Sequence, residues 1–276
     1  MDADLEENLG KSLLQSTSLT SLSLSFNCSN VKEGWLRNLG DSLDKMASLT
    51  SLSLDVNFYG EGKKGVLSTK PIGLLVPIKS LSTLSVVVHS GSLGSFWNDG
   101  VGDCLIECRS LKKLSLNGDC DPDHGFDGLD GGLAITTSLD TLSLTIFANY
   151  YDDDTFSNLF DCLNCGFSLN SSVNTLIVII TVNEFSIWDF PSIFREGLSL
   201  NMSVTTLSLT INEYGEGESY IRRVLPHSGV CQYLEQNTSV TTFNLTLNSS
   251  REVDRDYWLP GLLFVETESQ QPLCYR

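Results

Sequence analysis

No apolar run in the chain comes near the roughly 20 residues that a membrane-spanning helix needs. The longest, Leu176 to Ile180, has the length of a strand. The opening residues, Met-Asp-Ala-Asp-Leu-Glu-Glu, lack the basic start and apolar segment of a secretory signal. Cations are scarce as well: 17 Lys and Arg stand against 34 Asp and Glu, a formal net charge of −17. Nucleic acid is therefore not an expected partner, because phosphate neutralisation needs clustered Lys and Arg. An anionic membrane surface is disfavoured for the same reason. Only three histidines occur, His89, His124 and His227, each in a different part of the chain, and there is no Gly-x-Ser-x-Gly elbow. No enzyme activity is expected from so little, and no cofactor is implied.

The eight cysteines form no compact paired framework, so reduced thiols in a cytoplasmic protein are the expectation. Six Asn-x-Ser/Thr sequons, at Asn27, Asn170, Asn201, Asn237, Asn244 and Asn248, pull the other way. A chain rich in Asn, Ser and Thr generates several by chance. Asn27 and Asn248 also fall at one recurring position of an internal repeat, so the sequons do not argue for secretion.

What the chain does contain is a phrase that returns eight times. Ser-Leu-Thr-Ser-Leu-Ser-Leu runs from Ser18 and again from Ser48, with weaker copies from Ser80, Ser110, Ser138, Ser172, Ser203 and Ser239. Take the first apolar residue of each copy as zero: Leu19, Leu49, Leu81, Leu111, Leu139, Val173, Val204 and Val240. Positions +3 and +5 are then apolar in all eight, and +7 in all but one, where Gly118 stands. That alternation predicts a strand with one buried face. Upstream, positions −10 and −6 are apolar in nearly every copy, as in Leu39 with Leu43 and Leu163 with Phe167. A spacing of four is one face of a helix. Each unit reads as helix, turn and strand, and cannot bury its apolar face without a neighbour. Asn27, Asn57, Asn212 and Asn248 share position +8, where they are expected to hydrogen-bond the backbone as the chain leaves the strand.

The pattern Leu-x-x-Leu-x-Leu-x-x-Asn resembles the leucine-rich repeat. Helix-bearing units 28 to 36 residues apart resemble its ribonuclease-inhibitor-like class, and the Ser-Leu-Thr-Thr-Leu-Ser-Leu style is similar to the repeat regions of NOD-like innate immune receptors. The resemblance covers about residues 5 to 250. It implies an α/β horseshoe, a solenoid with a parallel sheet on the concave face and helices on the convex face. It implies a protein or microbial ligand, or regulation of an attached nucleotide-binding domain in a longer chain. The domain organisation expected is a repeat domain over residues 1–250 and an irregular tail or cap over 251–276, with the whole a piece of a larger protein.

Local motifs add little chemistry. Gly10-Lys11-Ser12 lacks the earlier Gly of a phosphate-binding loop and belongs to the repeat. Asp119, Asp121, Asp123, Asp127 and Asp130 mimic a calcium loop, yet His124 stands where the sharp turn needs Gly, so an acidic loop is expected and no metal. Cys162-x-x-Cys165, like Cys104 and Cys108, reads as a helical pair near the core. Asp152-Asp153-Asp154 reads as a solvated loop.

The outward strand positions +2, +4 and +6 are a carpet of Ser and Thr, interrupted by Ile177 and Ile179. Aromatic and acidic residues gather in segments read as loops after the strands. Asn57-Phe58-Tyr59-Gly60-Glu61-Gly62 nearly recurs as Asn212-Glu213-Tyr214-Gly215-Glu216-Gly217, and Asn149-Tyr150-Tyr151-Asp152 resembles both. Tyrosine beside acid and glycine gives adaptable contacts. The candidate binding surface is therefore Tyr59, Glu61, Tyr150, Tyr151, Asp152, Tyr214 and Glu216, with the apolar spot at Ile177 and Ile179.

Overall fold

The computed structural model describes residues 12–13, 15–28, 34–58, 78–89, 100–119, 128–148, 153–183, 197–214 and 236–249. The repeated phrase forms a strand in every copy: β1 (Ser21–Cys28), β2 (Ser51–Phe58), β3 (Thr83–His89), β4 (Lys113–Asp119), β5 (Thr141–Ala148), β6 (Thr175–Asn183), β7 (Thr206–Tyr214) and β8 (Thr242–Ser249). Helices α1 (Gly34–Asp44), α2 (Gly100–Glu107), α3 (Leu129–Ile135), α4 (Asp153–Leu169) and α5 (Gly197–Leu200) alternate with them. The result is an α/β fold around one eight-stranded sheet. Its strands lie side by side in chain order, and every pair is parallel. This is compatible with a solenoid-like arrangement.

Register follows the repeat without offset. The +2 residues Ser21, Ser51, Thr83, Lys113, Thr141, Thr175, Thr206 and Thr242 form one row across all eight strands. A slip of one residue would turn every leucine outward, so burial fixes the pairing. In the inner strands the inward residues are almost water-free: Leu52, Leu84, Leu142 and Leu207 are fully buried. The helix positions −10 and −6 meet them from behind, with Leu39, Leu43, Leu129, Leu133, Leu163 and Phe167 all buried. Val101 and Leu105 of α2 hold the same two places. Each such leucine contributes about 1.5–3 kcal/mol by leaving water. The strands run past +7. Asn57 and Phe58 belong to β2, and Asn212, Glu213 and Tyr214 to β7, rather than to the loops expected there. Asp153 and Asp154 likewise open α4 instead of lying in a loop.

The units are stitched at the turn that leads from helix to strand. At every junction the +1 carbonyl of one unit accepts two backbone N–H groups of the next, as Thr20 O does from Thr50 and Ser51 at 2.9 and 3.0 Å. The serine at −1 adds a third thread: Ser48 Oγ donates to Leu19 O at 2.9 Å, Ser80 Oγ to Leu49 O at 2.6 Å and Ser138 Oγ to Leu111 O at 2.9 Å.

Position −3 carries the strongest clamp, and it corrects the expectation placed on +8. Asn170, Asn201 and Asn237 occupy it in the last three units and are buried. Asn201 Nδ2 donates to Phe167 O and Asn170 O of the preceding unit, both at 2.8 Å. Its Oδ1 accepts from Ser203 N at 2.9 Å and Val204 N at 2.8 Å. Asn170 and Asn237 repeat the pattern. One amide thus satisfies a helix carbonyl that has no partner inside its own helix and closes the next turn. Where +8 holds Asn212 and Asn248, by contrast, the bonds run between side chains: Asn248 Nδ2 donates to Asn212 Oδ1 at 2.8 Å, and Asn212 Nδ2 to Thr181 Oγ1 at 3.1 Å. Asn170, Asn201 and Asn237 also begin three of the six sequons. Those sequons are one structural position recurring, not chance, and their amide nitrogens are committed inside the fold. In the second to fourth units −3 is held by Met46, Ile78 and Cys108, all buried, so apolar packing replaces the amide there.

Helices α2 to α5 approach one another over glycine. A Cβ on Gly132 would lie 2.8 Å from Gly102 Cα, and one on Gly197 would run into the Asn164 carbonyl. Asn201→Ala should lower unfolding stability by about 3 kcal/mol, because it strands buried carbonyls and N–H groups. Gly197→Ala should cost a similar amount, about 3 kcal/mol, by overpacking. Urea unfolding measures both, and a loss below about 1 kcal/mol in either would show the stack to be looser than its hydrogen bonds and close approaches imply.

Candidate interaction surfaces

Parity along the strands defines the surface. Odd positions turn inward, so +2, +4, +6 and +8 stand in parallel rows on the other face of the sheet. Ile177 and Ile179 of β6 are half-buried in those rows. Ile177 is flanked by Ser143 and Ser208, and Ile179 by Thr145 and Thr210. They form a small apolar spot among hydroxyls.

Tyr214 ends β7 on the same face and is 48% exposed. It lies beside Asn183 of β6. Four residues separate it from the Thr210 that neighbours Ile179, about 13 Å along the strand. The structure therefore places Tyr214 and the isoleucine spot on one face but does not bring them into contact. Tyr59, Glu61, Tyr150, Tyr151, Asp152 and Glu216 lie outside the described residues, as does the segment 120–127 of the acidic loop. Glu213, in the segment read as a loop, faces inward and is buried.

One constellation was not foreseen. Ser25 Oγ donates to Asp55 Oδ2 at 3.4 Å, and His89 Nε2 lies 3.7 Å from Asp55 Oδ1, on half-exposed side chains of three successive strands. Ser, Asp and His are the residues of a hydrolytic triad, but the order is wrong. A triad needs the imidazole between the hydroxyl and the carboxylate, so that it can take the hydroxyl proton. Here the carboxylate is in the middle, accepting from Ser25 and lying beside His89. It ties strands β1 to β3 together and does not activate the serine.

Cys104, Cys108, Cys162 and Cys165 are free thiols. Cys104 and Cys108 are buried, with Sγ atoms 3.8 Å apart. Donation toward Cys108 and burial together hold the Cys104 thiol well above the usual thiol range. On α4, Cys162 is half-buried and Cys165 exposed, so the second of this pair stands at the surface and not near the core. Among the described residues no group of three or more His, Cys, Asp and Glu could hold a metal ion. No helix among them is long and apolar enough to cross a membrane.

Charge is distributed more unevenly than the total of −17 conveys. From Leu114 to Phe194 the chain carries twelve Asp and Glu and not one Lys or Arg. Within that stretch Asp140 Oδ1 accepts from Asn174 Nδ2 at 2.7 Å. This bond first, then that from Thr141 and the charges of Lys113 and Lys112, hold the Asp140 carboxyl below its usual value. The sequence also carried a signal that went unread at the turn before each strand. Large apolar residues stand at −4 or −2 in the fifth to seventh units, and basic ones in the second to fourth.

No family model matches the chain, and no curated protein matches it. Alkylation at neutral pH should modify Cys165 readily and leave Cys104 untouched in the folded protein, since only a thiolate reacts and Cys104 is held neutral. Peptide mass mapping reads this out, and modification of Cys104 at the rate of Cys165 would contradict the buried pair.

Proposed function

We propose that the chain is a leucine-rich-repeat interaction module, a horseshoe whose sheet lines the concave face and whose helices form the convex one. The observation that carries this is the register. Eight parallel strands pair position for position, so their outward residues form straight rows across the whole sheet. Such an array presents a long, regular surface, which suits a macromolecular ligand better than a small one. Binding rather than catalysis is supported by the order of Ser25, Asp55 and His89, in which the histidine cannot serve the serine.

The partner in this reading is a protein or a microbial ligand. The repeat phrase is similar to that of NOD-like receptors, so a sensing role in the cytoplasm, beside a nucleotide-binding domain in a longer chain, forms part of the same proposal. Contact is assigned to the sheet edge at the strand ends, around Tyr214, with the isoleucine spot as its apolar neighbour. Exposed tyrosine is a rigid, amphipathic anchor of the kind interfaces favour.

Site-specific photo-crosslinking in cells tests this. A photo-reactive amino acid at Tyr214 or at Ile179 should yield adducts to a discrete partner protein, and one at the exposed Asp161 of α4 should yield few. Adducts in equal amounts at all three sites, or at Asp161 alone, would overturn the assignment.

A further inference from the structure

The turns before the strands form a second surface at the opposite end of the sheet from Tyr214. We infer that this row of turns docks an extended segment of a partner protein that is acidic at one end and aliphatic at the other. The inference rests on the interaction-module reading but concerns a different surface.

Four large apolar side chains crowd this row. Ile135, Leu169 and Leu200 close α3, α4 and α5 at position −4, and they are 60%, 72% and 68% exposed. Met202, at −2, is 68% exposed and accepts from Thr238 Oγ1 of the next unit at 3.8 Å. Among the described residues only Ile106 and Tyr214 are large, apolar and exposed elsewhere. The three units are locked in register by the amides of Asn170 and Asn201, so the side chains stand one above the next. Scattered exposed leucines need no explanation, but an aligned group of this kind marks a contact.

The same row is basic in the preceding units. Lys45 stands at −4 of the second unit, and Lys79 and Arg109 at −2 of the third and fourth. Lys112 precedes β4 and Lys113 opens it, and all five are exposed. Arg37 is the only other Lys or Arg among the described residues. None of the five has a carboxylate within ion-pair distance among the described residues. Asp44, Glu107 and Asp140 also face this edge, so the row keeps a small positive balance inside a protein of net charge −17. Fixed cations of this kind beside an aligned apolar group fit a ligand with carboxylates followed by aliphatic side chains.

Charge also selects the kind of partner. A flat anionic bilayer would have to approach a protein of net charge −17 over a broad face and be repelled by it. A single extended chain touches the row alone. From the second unit to the seventh, five strand spacings make roughly 24 Å, about seven residues of extended chain.

Panning a random peptide library on the whole protein tests the inference. The enriched peptides should place acidic residues within about seven positions of an aliphatic cluster. Their affinity, read by fluorescence anisotropy, should fall by about tenfold or more for Leu169→Ser with Leu200→Ser. Lys79→Glu with Arg109→Glu should cost as much and reverse the salt dependence of binding, since the row then turns net negative. All four residues are exposed, so thermal unfolding of both variants should match the parent. Peptides without that composition, or with affinity indifferent to both variants, would overturn the inference. So would sedimentation with phosphatidylserine vesicles that the same variants abolish, since that would make the row a membrane contact. Crosslinks at Tyr214 are read separately, so failure here leaves the strand-end surface standing.

Discussion

Each described helix of this chain ends in a tight turn whose backbone groups have too few partners within the unit. Helix-terminal carbonyls and turn N–H groups are costly to bury unpaired. The chain meets that demand between units. The +1 carbonyl takes two N–H groups from its neighbour, the −1 serine reaches back, and in the last three units a buried asparagine joins four backbone groups at once. A unit is therefore complete only when the next is in place.

The rest of the architecture depends on this. Because the stitches are the same at each junction, the register is the same, and because the register is the same, equivalent residues stand in rows. Rows turn one exposed residue per unit into a continuous feature. Ile135, Leu169 and Leu200 would be three unrelated side chains in an irregular fold. Stacked, they make a ridge. The same logic limits chemistry: residues gather by repeat position, which is why Ser25, Asp55 and His89 meet on adjoining strands without the order that nucleophilic catalysis requires.

The strands were legible because apolar +3, +5 and +7 positions alternate with Ser and Thr. The helix faces were legible because −10 and −6 repeat four apart. The asparagine clamp was visible in the letters yet assigned elsewhere. Asn170, Asn201 and Asn237 recur at −3, but only three units of eight use the amide, so +8 looked the more regular place. The strand ends were set too short because Asn and Tyr favour loops, whereas pairing with β6 extends β7 to Tyr214. Glu213 shows the limit of composition: it sits in a segment read as a loop, and alternation along β7 turns it inward. The ridge and its cations were missed because helix ends were read for their buried face alone.

Native-state hydrogen exchange resolved to single amides tests the stitching most directly. The N–H groups of Ser203 and Val204 bond to a side-chain oxygen and not to regular secondary structure. If the asparagine clamp holds the units together, these turn amides should exchange as slowly as the central amides of β7. Fast exchange there, with β7 itself protected, would mean that the sheet stands without the clamp and that the rows are not locked at their turns.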